Sequence, residues 1–204
     1  MASKTEICNM SISHIGSGKE ISDIDTESSE EAKACRRYYE TALKSTLRDF
    51  NWSFARRVVA LGLVEDMSSQ STEEFTYSYR YPSDAVKIRR IKSGMRNDTR
   101  QSRSVFWVTS DDTGRLIYSN EENAEAEYTK HITDTLLYPD DFTLAFSYKL
   151  AALIAPRLSS GDLFGMKDKM QRYYEIEIST AESNGLNEDQ DDELPDSEFV
   201  RVRS

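Results

Sequence analysis

The sequence predicts an α+β fold: a helical bundle formed by N- and C-terminal helices, an antiparallel β module inserted between them, and an extended C-terminal tail. Three observations predict it. Apolar residues recur at helical spacing up to residue 54 and again from residue 139. Between those stretches the period drops to two, as where Phe75, Tyr77, Tyr79 and Tyr81 alternate with Thr76, Ser78 and Arg80. Beyond residue 186 acids dominate, in a segment too charged to fold alone. The expected parts are residues 1–55 and 134–185 as the two halves of the bundle, 56–133 as the β module, and 186–204 as the tail. The helical halves must meet in space, because each has an apolar face to bury.

Each element has its own signal. Ser3 and Glu6 have capping-box spacing, so a helix should begin near Lys4. Cys8, Ile12 and Ile15 share its face, and Gly16 and Gly18 should stop it. Ser28 and Glu31 repeat the box and open a helix over residues 29–49. Its stripe is Ala32, Cys35, Tyr39, Ala42, Thr46 and Phe50, widened by Leu43 and Leu47. An aromatic segment, Phe50-Asn51-Trp52-Ser53-Phe54-Ala55, leads into the module.

Five strands are expected there. The period changes at Arg56, the alternating tyrosines make one strand, and Pro82-Ser83-Asp84 turns the chain. Val86, Ile88 and Ile91 mark the next strand. Residues 105–109 and 115–118 flank Asp111-Asp112-Thr113-Gly114, which reads as a hairpin turn. A last strand covers 124–132, and residues 67–73 and 93–104 read as polar loops. Helix returns after Pro139, with Asp140 and Asp141 complementing the dipole. Phe142, Ala145, Phe146, Lys149 and Leu153 form its face, and Pro156 should bend or end it. A helix over residues 162–182 carries Leu163, Met166, Met170, Tyr173 and Ala181, and Asn184-Gly185 should close it.

A chain of 204 residues can bury about 70% of its unfolded surface. With 38% hydrophobic and 30% charged residues the core should be modest, and neighbouring molecules are expected to complete it. Thirty-six acids against 26 basic residues give a net charge of −10, which offers no overall grip on phosphate. The bases are clustered, however: Lys87, Arg89, Arg90, Lys92, Arg96, Arg100 and Arg103 crowd one region. Lys87 and Arg89 alternate with Val86 and Ile88, as on the solvated face of a strand. Lys87, Arg89, Arg90 and Lys92 are therefore expected to form a basic face toward an acidic neighbouring subunit. Cys8 and Cys35 read as reduced, buried thiols. No apolar run follows Met1-Ala2-Ser3-Lys4, so no signal peptide is expected. No stretch reaches the roughly 20 apolar residues of a membrane span.

Chemical motifs are weak. Gly16-Ser17-Gly18-Lys19 lacks the earlier glycine and following Ser or Thr of a phosphate loop, since Ser13 and Glu20 stand there. His14 and His131 are too few for a histidine zinc site or a triad; both read as structural or solvated, with His14 closing the first helix, where a cation complements the dipole. Asp189, Asp191 and Glu193 lack the glycine and terminal glutamate of an EF-hand loop. No catalytic residue, metal site or cofactor is expected. Two alternatives stay open: a virion-associated cell-wall hydrolase using an acid pair, and a DNA-binding protein using the basic segment 87–103.

Several segments in order resemble the phage head-to-tail adaptor (connector) family, the tail tubular protein A-like proteins. Residues 7–16 look like the family's opening helix and glycine stop, and residues 31–40 like its second helix. The aromatic segment 50–55, Tyr79-Arg80-Tyr81-Pro82-Ser83-Asp84, Arg89-Arg90-Ile91 and residues 142–158 are similar to its later elements. The resemblance implies a structural virion protein of the neck, made in the host cytoplasm, without enzymatic activity. It implies a homo-oligomeric ring, a dodecamer, between the portal protein and a downstream tail or nozzle protein. Such a ring would line the channel for DNA ejection without reading sequence or touching a membrane. On that view the tail would dock on the portal, with Leu194, Phe199 and Val200 as apolar anchors and Arg201 and Arg203 pairing with portal acids.

Overall fold

The computed structural model describes residues 2–66, 74–92, 103–159, 161 and 165–188, the last four by backbone only. The fold is α+β. The first helix, α1 (Lys4–His14), starts at the expected box: Glu6 N–H donates to Ser3 Oγ at 3.2 Å and Ser3 N–H to Glu6 Oε2 at 2.5 Å. Its end is a Schellman closure, with Gly16 N–H donating to Ser13 O at 2.9 Å and Ser17 N–H to Ile12 O at 3.3 Å. Gly16 has φ +80°, a left-handed conformation that explains glycine there.

Helix α2 (Glu30–Asp49) is capped by Ser29 rather than Ser28, Ser29 Oγ accepting from Ala32 N at 3.2 Å. With Ser29 as cap the third helical position is Ala32, so the expected Ser28–Glu31 box does not form, and Glu31 instead pairs with Lys19 at 2.8 Å. The expected stripe is buried as far as Leu47, with Ala32, Cys35, Tyr39, Ala42, Leu43, Thr46 and Leu47 inside, while Phe50 is the half-buried C-cap. A short 3-10 turn, Ser53–Ala55, then delivers the chain to the sheets.

Helix α3 (Asp140–Leu158) has Pro139 at its N-cap and continues past Pro156. Proline sits in the last turn, where its missing N–H removes a single intrahelical bond, and the helix ends two residues later. Helix α4 (Met166–Glu188) likewise runs through Asn184-Gly185. Its inner face is Met170, Tyr174 and Ala181, a spacing of four and seven, whereas Tyr173 is exposed. Leu163 lies outside the described residues.

Helix α3 packs against α1, α2 and α4. One core therefore joins both ends of the chain, including Ile7 and Ile12, Leu43 and Leu47, Phe142, Phe146, Leu150 and Ile154, and Met170. Trp52 closes it, edge-on to Phe50 at 4.9 Å and to Phe142 at 5.0 Å between ring centroids. Edge-to-face pairs of this kind add about 0.5–1.5 kcal/mol beyond the area they bury.

The middle of the chain holds seven strands among the described residues, not five: β1 (Arg56–Ala60), β2 (Leu63–Asp66), β3 (Tyr77–Arg80), β4 (Ala85–Lys92), β5 (Phe106–Asp111), β6 (Gly114–Ser119) and β7 (Glu125–Lys130). All pairings are antiparallel, in one sheet of order β1-β7-β4 and another of order β2-β3-β6-β5. The hairpin β5–β6 closes at the expected turn, with Asp111 opposite Gly114. A second, smaller core draws Tyr79, Tyr81 and Ile117 from one sheet region and Ile88, Ile91, Ala126 and Tyr128 from the other. Strand β3 buries Ser78 as well as Tyr79, so both its faces are covered there. Among the described residues no helix is long and apolar enough to cross a membrane. The expected loop 67–73, and residues 93–102 of the expected loop 93–104, lie outside the described residues, while Ser104 bridges to Ile91.

Candidate functional site

The helical part and the sheets meet at Arg89. Its Nε donates to Thr129 Oγ1 at 2.8 Å, and its Nη2 donates to the carbonyls of Leu47 at 3.0 Å, Arg48 at 3.2 Å, and Phe50. These are carbonyls of the last turn of α2, which lack intrahelical partners. A cation at that end also complements the helix dipole. Burial pushes the guanidinium down from its ordinary value, and arginine stays charged regardless.

This placement corrects the expected solvated basic face. Strand β4 is irregular between Ala85 and Lys87 and again between Ile88 and Arg90, so its alternation slips and Arg89 turns inward. Arg90 pairs with the buried Glu127 at 2.9 Å, and Lys92 lies 3.6 Å from Glu125. Of the four residues assigned to that face, Lys87 alone is classed as exposed. Partial desolvation, with Arg89 and Arg48 nearby, lowers its pKa. Arg96 and Arg100, and the docking residues Leu194, Phe199, Val200, Arg201 and Arg203, lie outside the described residues.

Both histidines make structural contacts. His14 stacks on Tyr148 with ring centroids 4.0 Å apart, and its Nε2 is 3.0 Å from Ser147 Oγ. Burial lowers its pKa, which disfavours the cation at that helix end. His131 Nε2 sits 3.0 Å from Glu40 Oε1. Cys8 and Cys35 are free and buried, as expected. The hydrogen bond with Cys35 and burial hold the Cys8 thiol far above the ordinary range.

Between α2 and the β3–β4 turn lies an open groove of about 500 Å³, lined in part by Lys44, Arg48, Asp84, Arg115 and His131. Most of its charges are engaged: Lys44 with Glu40 at 3.0 Å, Asp84 with Lys130 at 3.2 Å, and Arg115 over the Tyr81 ring at 3.8 Å. Among the described residues no group of three His, Cys, Asp or Glu is placed to hold a metal ion.

The exposed apolar residues are the more informative feature. Val58 and Val59 on β1, Leu63 and Val64 on β2, and Trp107 and Val108 on β5 are all exposed. Among the described strands, β1, β2 and β5 stand at sheet edges. Sequence reasoning missed this site. Its signal lay in residues 56–66, where two arginines, an apolar run and two acids follow one another. No family model matches the chain, and no curated protein matches it either.

Proposed function

We propose that the chain is a structural subunit, a head-to-tail adaptor that forms a ring between a phage portal and the tail and lines the DNA channel. The observation that carries this reading is the exposed apolar edge of the β module, on a molecule whose helices from both ends share one core. In a ring the α1–α4 bundle would be the rigid wedge, and the sheets would offer surface to neighbours. Exposed apolar side chains gathered on strands at sheet edges suit an association surface. The order of the segments that resemble the adaptor family supports the same reading. The net charge of −10, repeated around a channel, would repel passing DNA and leave no adhesive sites along the bore.

The C-terminal segment would anchor the subunit on the portal, with Leu194, Phe199 and Val200 as apolar contacts and Arg201 and Arg203 facing portal acids. The test is the mass of the purified chain mixed with the portal ring of the same phage, measured by light scattering and by particle imaging. A discrete ring of adaptor on the portal is the expected result. Absence of any complex at micromolar concentrations overturns the reading.

A further inference from the structure

The helical part carries two exposed apolar patches of opposite charge. The first is the short turn before α3, Thr135–Leu137, where Leu136 and Leu137 are 62% and 52% exposed. That turn is built to hold them out. Asp134 Oδ1 accepts from Leu136 N–H at 3.0 Å, and Tyr138 N–H donates to Thr135 O at 3.2 Å. The buried Tyr138 is tied back by its hydroxyl, which donates to Ile132 O at 2.8 Å. Two adjacent leucines on a fixed turn are an anchor that loses little freedom on docking. Asp134 and Asp140 flank them, and both are exposed.

The second patch is on α4. Tyr173 and Ile176, 40% and 58% exposed, line a groove of about 360 Å³ with Gly165, Asp168, Lys169 and Arg172. Lys169 and Arg172 are exposed as well, and Lys169 Nζ lies 6.0 Å from the centre of the Tyr173 ring. Two cations against one acid leave this groove positive, where the leucine turn is negative. Helix α3 ends at Leu158 and α4 begins at Met166, so the short link makes them antiparallel neighbours. Tyr148 and Tyr173 meet with ring centroids 5.5 Å apart. Tyr173 is thus level with Tyr148, about two helical turns from the start of α3, where the leucine turn sits. The patches stand at different levels of one bundle, so the leucines of one copy are placed to meet the groove of another.

We propose that Leu136 and Leu137 of one copy seat in the Tyr173–Ile176 groove of the next, with Asp134 and Asp140 facing Lys169 and Arg172. The occupant is a second copy because the patches match in the two respects that decide docking. Each is apolar at its centre, and their rims carry opposite charge. The contact is head-to-tail, so every added copy brings a further turn and a further groove, and repetition closes a ring where the rotation allows. A face that paired with itself would stop at two copies. The inference deepens the adaptor reading, on which the ring rests, by naming the contact between neighbours. The contact itself is tested without the portal.

The test is the mass of the full chain by sedimentation, from micromolar concentrations to about a hundred times higher. The average mass should rise above 23.4 kDa with concentration and pass two copies. Leu136→Ser with Leu137→Ser should weaken association at least about tenfold, as should Ile176→Lys, because burying one such side chain is worth about tenfold or more. Arg172→Glu, which leaves the apolar centre intact, should weaken it as well. Circular dichroism and the urea midpoint should stay unchanged in the leucine and Ile176 variants, since those side chains are exposed. Mixed in equal amounts, the leucine variant and the Ile176→Lys variant should form dimers and stop there, because one turn and one groove remain intact between them. A native chain that stays at 23.4 kDa or stops at two copies overturns the inference, and so does a mixture as weak as the separate variants. So does a leucine variant that associates normally and fails only on the portal, which would make the portal the occupant. A native chain that associates in this way without binding a portal leaves the contact standing and removes the adaptor reading.

Discussion

Arg89 joins the two parts of the molecule through one side chain. Its guanidinium satisfies carbonyls at the end of α2 and the Thr129 hydroxyl at once, so removing it strands several polar groups in a half-buried seam. Leaving buried acceptors unpaired costs about 1–3 kcal/mol per group, and bonds to charged donors stand at the upper end. Arg89→Ala should therefore lower unfolding free energy by about 2–4 kcal/mol in urea titration, without changing the slope of the transition. Arg89→Lys keeps the charge but loses the planar fork, and should fall between the two. A loss under about 0.5 kcal/mol for Arg89→Ala would mean that the seam is held by packing alone. Nothing in the sequence marks Arg89 out from Lys87 or Arg90. All three are basic residues in one strand, and only the irregular pairing of β4 turns Arg89 inward.

At the scale of elements, the helices were legible in the sequence and the sheets much less so. Helix starts and faces follow from local spacing: the Ser3–Glu6 box, the Gly16 stop and the stripe of α2 are each decided within a few residues. Errors arose at single positions, as when Ser29 rather than Ser28 capped α2 and Glu31 paired with Lys19. Strand pairing is non-local by nature, so β1 and β2 showed only as a change of period. The placement of Arg90 against Glu127 across 37 positions could not be read from spacing at all. The aromatic segment after α2 was legible as a cluster, and the structure gives it a physical role. Trp52 is 2% exposed and ties the end of α2 to Phe142 of α3, whereas Trp107 on edge strand β5 is 53% exposed. Truncating a fully buried tryptophan costs about 3–5 kcal/mol. Trp52→Ala should lower stability by about that amount, and Trp107→Ala by less than about 1 kcal/mol. In the Trp107→Phe variant the remaining emission should be blue-shifted and resistant to iodide until the chain unfolds. Ready quenching in the native state would show that the Trp52 pocket is open to water.

For the whole molecule, the question is which parts fold by themselves and which act through a partner. Tyr174 and Asp49 tie α4 to α2 by a hydrogen bond of 2.7 Å, Lys149 of α3 lies 3.6 Å from the same carboxylate, and Ala181 is the last buried residue described on α4. Residues 189–204 carry six acids against two arginines, and so hold a large share of the net charge of −10. Removing residues 189–204 should leave the midpoint of urea unfolding within the roughly 0.5 kcal/mol expected for a change away from the core. Portal binding should fall at least a hundredfold, because apolar anchors at the centre of an interface carry most of its energy. Replacing Phe199 and Val200 together by Ser should give a comparable loss at nearly constant charge, which separates anchoring from electrostatics. If the truncated chain binds the portal as tightly as the full chain, the anchor lies on the described surface instead. The exposed apolar residues of β1, β2 and β5 would then be the next place to find it.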